Sequence, residues 1–135
     1  MKSMIEQSAK QSSESGPRKI LVLLDNLFFA AKINHAAALT GVQITYAKTH
    51  VKALAIALDE NPSLVIVDLD AAKCAPLELI AQLKSDDRLR AIPTLGFVSH
   101  VNTGLQEEAR KAGCDRVLAR SAFDRYLVAL LEKLP

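Results

Sequence analysis

The chain has 135 residues, half of them apolar and 24% charged, with a formal net charge of +2. That is the length and balance of one globular domain with a real core, too short for two. So slight a charge implies no nucleic-acid or membrane partner, no apolar stretch approaches the roughly 20 residues that span a bilayer, and an aromatic content of 4% offers no stacking platform for single-stranded nucleic acid.

Residues 1–17, MKSMIEQSAKQSSESGP, are rich in Ser, Gln, Glu and Lys, lack the apolar segment of a signal peptide and end in Gly-Pro. They predict a flexible tail, a cytoplasmic protein and a folded unit over 18–135. Lys19–Leu24 is the first short apolar run, closed by Asp25. Asn26 then suits the N-cap of a helix over Leu27 to Thr40 that Gly41 ends. After a second run at Val42–Ala47, Thr49 or His50 opens a helix to about Asp59, where Asn61-Pro62 stops it. Leu64–Val67 is the third run, closed by Asp68. Pro76 suits the first turn of a third helix, with Leu77, Ile80, Ala81 and Lys84 at the spacing of one face. The fourth run is Pro93–Val98, followed by a helix bracketed by Thr103 with Glu107 and by Gly113. Arg116–Ala119 is the fifth, and Ser121 with Asp124 reads as a capping box for the last helix.

Five strand-helix units joined by right-handed crossovers make an α/β protein, a three-layer sandwich of helices on both faces of a parallel sheet. Continuous Val/Ile/Leu runs are what strands look like when both faces are covered, and ligands of such sheets gather outside the carboxyl ends of the strands. Asp25 and Asp68 both fall there. Cys74 and Cys114 form no CxxC pair and read as small buried thiols.

The segments KILVLLDN, NPSLVIVDLD, AIPTLGFVSH and EEARKAGCDRVLARSAF, in this order, resemble the receiver domains of two-component response regulators over about Arg18 to Leu134. The resemblance implies a flavodoxin-like fold, a five-stranded parallel sheet of order 2-1-3-4-5 with five helices. It further implies that Asp68 accepts a phosphoryl group from a histidine kinase in a phosphorelay. Asp25 matches the second acid of the pair after the first strand, a magnesium ligand, and the carbonyl of Asp70 would be another; Mg2+ is the cofactor implied, held by Asp25, Asp68 and Asp70. Ser99 matches the hydroxyl that hydrogen-bonds the phosphoryl oxygens, and Arg120 stands where the family has lysine. Phosphoryl transfer needs a cation to offset charge on the transferred oxygens, and magnesium takes hard oxygen ligands, so these residue types suit those roles.

The departures matter as much. Leu24 occupies the place of the first acid, which should weaken magnesium. Arg120 cannot present its charge as a compact ammonium ion, and Ser121 follows it in place of the family's cis-proline. Val117 takes the place of a switch aromatic, His100 replaces a small residue and would narrow access, and the loop Leu69 to Pro76 lacks the usual Met-Pro and Asp-Gly pattern.

Plain roles compete with each of these. Asp25 and Asp68 could cap helices, Ser99 could face solvent, Arg120 could pair on the surface, and His35 and His50 lie in predicted helices without metal-ligand spacing. Three functions therefore stand. The first is a phosphoryl-accepting signalling receiver, and the second is a pseudo-receiver that docks a partner without phosphorylation. A flavodoxin-like cofactor binder or enzyme is the third, and the absence of a Gly/Ser/Thr-rich phosphate loop after the first strand speaks against it. No enzymatic activity is expected. The partners implied are a histidine kinase or another signalling protein, and a second copy of the chain in a homodimer. With no effector segment in the sequence, output is expected through association, at the family's usual docking face around Arg116, Asp124, Arg125 and Tyr126.

Overall fold

A computed structural model describes residues 18–99 and 102–132. The predicted tail and His100 lie outside the described residues.

Five strands and six α-helices alternate along the chain: β1 Lys19–Leu23, α1 Leu27–Thr40, β2 Gln43–Ala47, α2 His50–Glu60, β3 Leu64–Asp68, α3 Pro76–Ser85, β4 Thr94–Val98, α4 Thr103–Ala112, β5 Arg116–Ala119, α5 Arg120–Arg125 and α6 Leu127–Glu132, with a short 3-10 turn at Ala72–Cys74 before α3. The strands form one parallel sheet in the order β2-β1-β3-β4-β5. Central β3 is buried along its whole length, which is why LVIVD carries no alternating polar residues.

Alternate side chains of the strands enter two separate cores. On one face Leu21, Leu23, Val65 and Val67 pack against α2, α3 and α4. On the other, Ile20, Val22, Ile66, Leu95 and Phe97 meet α1, α5 and α6. Helix α1 presents Phe29, Ile33, Ala36 and Ala37, at the spacing of one helical stripe. In α3 the buried face is Pro76, Leu79, Ile80 and Leu83, rotated from the predicted one; Ala81 is exposed and Lys84 lies at its edge. Each large side chain of that stripe stabilises the fold by about 1.5–3 kcal/mol through burial.

The helix ends largely follow their punctuation. Asn26 Oδ1 accepts from the Phe29 N–H at 3.1 Å, Thr49 Oγ accepts from Lys52 N–H at 3.1 Å, and Gly41 closes α1 at φ 77°. Two ends differ. Asn102, not Thr103, caps α4 through its side chain. The Ser121–Asp124 box does not form: Ser121 lies inside α5, whose N-cap is Ala119, and Asp124 instead pairs with Lys32 of α1 at 3.2 Å. The predicted last helix is divided at Tyr126, yet its stripe of Phe123, Leu127 and Leu131 runs through the break into one core.

The floor of the domain, at the amino ends of β4 and β5, is tied by a polar cluster. Asp115 Oδ2 accepts from the Thr94 N–H at 2.8 Å, the Thr94 hydroxyl at 3.0 Å and Lys84 Nζ at 2.8 Å, while Lys84 also donates to the carbonyls of Arg90 and Ile92. All three ammonium protons of Lys84 thus have acceptors. Its partners fix the spacing of β4, β5 and α3, and so set where the carboxyl ends of these strands emerge.

Candidate functional site

At the carboxyl end of the sheet, the pairing of β3 with β4 sets Asp68 opposite Phe97, and the Leu69 N–H continues the ladder to the Phe97 carbonyl at 3.0 Å. Asp68 is therefore the last residue of a rigid central strand, 3% exposed. The chain then turns sharply. The Ala71 N–H reaches the Asp68 carbonyl, the Ala72 N–H reaches the Asp70 carbonyl at 3.0 Å, and the Asp70 N–H donates to Asp68 Oδ1 at 3.0 Å. That turn brings the Asp70 side chain alongside the end of β4, where its Oδ2 accepts from the Ser99 N–H at 2.8 Å.

Arg120 completes the group. Its Nη2 lies 3.1 Å from Asp68 Oδ1 and 3.0 Å from Asp70 Oδ2, one nitrogen bridging two carboxylates. Its guanidinium carbon stands 5.1 Å from the ring centres of both Phe29 and Phe97. Those rings belong to an aromatic trio with Phe123, at centroid distances of 4.5–5.5 Å. A planar, weakly hydrated cation sits well on such a floor, which a point-like ammonium would not cover.

Burial pushes the Asp68 carboxyl up from its ordinary value. Arg120 and the Asp70 N–H oppose that push, and the charges of Asp70 and Asp25 add to it. Asp25 is thus close enough to be felt at Asp68, yet it is exposed and outside the hydrogen-bonded group. Leu24, beside it, is 3% exposed and belongs to the core under α1 and α6.

The structure so brings together four of the residues singled out from sequence, Asp68, Asp70, Ser99 and Arg120, and leaves Asp25 at the rim. Ser99 engages through its backbone rather than its hydroxyl. Phe29 and Phe97, which support Arg120, were not singled out; for Phe97 the signal was its place at the carboxyl end of the fourth apolar run, where the sheet pairs it with Asp68. Val117 is half-buried against the opposite core. Both cysteines are buried and free, and burial pushes both thiols up.

The donor set does not suit a divalent ion in this arrangement. Among the described residues no group of three His, Cys, Asp or Glu side chains is placed to hold a metal. Oδ1 of Asp68 and Oδ2 of Asp70 already face the guanidinium, and the Asp70 carbonyl accepts within its own turn. An open cleft of about 500 Å³ beside the group is lined by Asn26, Phe29, Lys32, Ser99, Arg120 and Asp124 among others, and neither Asp68 nor Asp70 lines it.

No family model matches the chain. By sequence it is similar to the polar-differentiation response regulator DivK of Brucella anthropi, 24% identical over 104 residues that cover 77% of this chain and 85% of that protein. By structure it is similar to the phosphorylated cyanobacterial phytochrome response regulator RcpA, with a TM-score of 0.72 and 21% identity over 87% of this chain and 90% of that one. It also matches the receiver domain of the sensor histidine kinase PA1611 of Pseudomonas aeruginosa, which has a magnesium ion in its active-site cleft; the TM-score is 0.73, with 17% identity over 88% of this chain and 98% of that one. No helix among the described residues is long and apolar enough to cross a membrane. The chain thus has the flavodoxin-like fold of response-regulator receiver domains and is similar in sequence to response regulators.

Proposed function

We propose that this receiver domain works in two-component signalling as a docking module, binding a histidine kinase or another signalling protein without magnesium-assisted phosphorylation of Asp68. Leu24 carries the reading. An acid in its place would complete a set of carboxylates at the strand ends, whereas a leucine buried in the α1/α6 core withdraws that position from the pocket altogether. Magnesium depends on hard oxygen ligands, and an exposed Asp25 alone replaces little of what is lost.

Contact with a partner falls on the surface of β5, α5 and α6, where Arg116, Arg125 and Tyr126 are exposed. The same surface would serve a homodimer. The module is a signalling one and not an enzyme, and it acts in the cytoplasm.

A second reading rests on a specific observation, the convergence of Asp70, Ser99 and Arg120 on a buried Asp68. In it Asp68 accepts a phosphoryl group, Ser99 and Arg120 hydrogen-bond the transferred oxygens, and Asp25, Asp68 and Asp70 supply a weak Mg2+ site once Arg120 has moved aside.

Intact-protein mass after incubation with a small-molecule phosphodonor, with and without Mg2+, separates the two. The docking reading expects no gain in the wild type even at high Mg2+. A magnesium-dependent gain of one phosphoryl group that is absent in Asp68→Asn would replace it with the second.

A further inference from the structure

We propose that Arg120 is the built-in cation of this pocket, a tethered guanidinium that takes the place of a divalent ion between Asp68 and Asp70. The inference deepens the docking reading by naming what holds the pocket without a metal. Two independent features of the structure carry it.

The first is the bridging geometry. A single nitrogen at 3.1 and 3.0 Å from oxygens of two different carboxylates stands where one cation would neutralise both. Asp68 cannot be left without such a cation, because a buried carboxylate lacking a positive partner is strongly disfavoured. The second feature is the seat. The guanidinium lies 5.1 Å from the ring centres of both Phe29 and Phe97, and both rings pack on Phe123 in the α1/α6 core, Phe97 stacked and Phe29 tilted. A surface arginine that merely found an acid would not have an aromatic floor built beneath it from α1 and β4. Arg120 is also the first residue of α5, directly after β5, so its backbone is fixed by the sheet and its reach to Asp68 needs no loop movement.

Charge arithmetic then sets the consequence. A divalent ion entering between Asp68 and Asp70 meets the guanidinium at contact distance, and Coulomb repulsion at a few ångströms weakens its binding by at least about tenfold even with water-like screening. Removing that charge while keeping the apolar stem on the rings should expose a cation site that the wild type hides.

The test is titration of Mn2+ and Mg2+ by calorimetry, with Mn2+ paramagnetic resonance as a second readout, on the wild type, Arg120→Met and Arg120→Gln. No phosphodonor is used, so the outcome is independent of whether Asp68 accepts a phosphoryl group. The expected result is at least about tenfold tighter Mn2+ binding by both folded variants than by the wild type, abolished when Asp70→Asn is added. Circular dichroism identifies which variants are folded, and every folded variant must show the gain. Equal affinity in the wild type and a folded variant would overturn the proposal, as would a gain that survives Asp70→Asn. Such a result would leave the docking reading standing, whereas phosphorylation of the wild type would overturn that reading whatever the titration returned.

Discussion

Arg120→Met should destabilise the domain by about 2 kcal/mol at pH 7. The ion pair with Asp68 is a charge-assisted hydrogen bond at 3.1 Å, and such bonds contribute about 1.5–3 kcal/mol. Breaking a buried pair from one side costs up to about 3–5 kcal/mol, because a charge is left behind. Three features bring the figure below that range: the Arg120 side chain is 32% exposed, Asp68 keeps the Asp70 N–H, and a methionine stem still covers the phenylalanine rings. Asp68→Asn removes a charge that burial already disfavours and should cost less than about 1 kcal/mol, and the double variant should cost about the same as Asp68→Asn alone, a coupling near 2 kcal/mol. The pH dependence has a definite sign. Asp68 titrates above its ordinary value of 3.8 because burial disfavours its ionised form, and Arg120 is the largest influence opposing that shift. A carboxyl raised in the folded state contributes stability that is complete below the unfolded-state value and is lost as pH rises through the folded-state value. Without Arg120 the loss deepens. The deficit of Arg120→Met is therefore greatest at neutral pH and closes as pH falls toward 3.8. Urea unfolding of the four proteins at several pH values measures it. A penalty under about 0.5 kcal/mol at pH 7, or one that does not change with pH, refutes the reasoning.

Other perturbations test other parts of the account. Asp115→Ala strips the acceptor from the N–H and hydroxyl of Thr94, which is 1% exposed, and from Lys84, so urea unfolding should show a loss of about 2–3 kcal/mol. Burial pushes the Asp115 carboxyl up, but its hydrogen bonds from Lys84 and Thr94 outweigh that and hold it below its ordinary value, so the loss is full above pH 3.8 and fades as pH falls through the lowered value. Leu24→Asp, which introduces the acid that receiver domains carry at the matching place, should cost about 3 kcal/mol by placing an unpaired carboxylate in the α1/α6 core, visible as a lower urea midpoint. Ala75 sits at φ 55°, a left-handed conformation that an L side chain resists, so Ala75→Gly should raise stability by about 0.5–1 kcal/mol despite the greater freedom of glycine when unfolded. With both thiols buried and pushed up, a thiol reagent at pH 8 should label neither Cys74 nor Cys114 in the native protein and both in urea.

Much of the fold was legible because burial on both faces leaves so plain a mark. The five apolar runs fall within a residue or so of β1 to β5, and the cap residues Asn26, Thr49, Gly41 and Gly113 act where they were expected. Where the reading slipped, a long-range partner had outbid a local one. Asp124 could cap its own helix, but Lys32 of α1 lies within 3.2 Å of it. Lys84 falls at the spacing of the predicted face of α3, whereas three acceptors from outside that helix draw it to the edge. At the site, the end of the third apolar run alone places Asp68, whereas Asp70 follows only from the resemblance to receiver domains. The position of Arg120 is another matter: whether its side chain turns to solvent or inward depends on Phe29 and Phe97, which lie far apart in the chain and meet only on one face of the assembled sheet. The exposure of Asp25 likewise follows from α1 starting at Leu27, which turns the chain outward just after Leu24 enters the core.

A pocket held by Arg120 needs neither metal nor phosphoryl group, and the amide spectrum of the isotopically labelled protein before and after a phosphodonor with Mg2+ tests this. The resonances of Asp68, Asp70 and Ser99, and those of residues 103–112 in α4, should stay where they are. A concerted shift of these resonances would refute it.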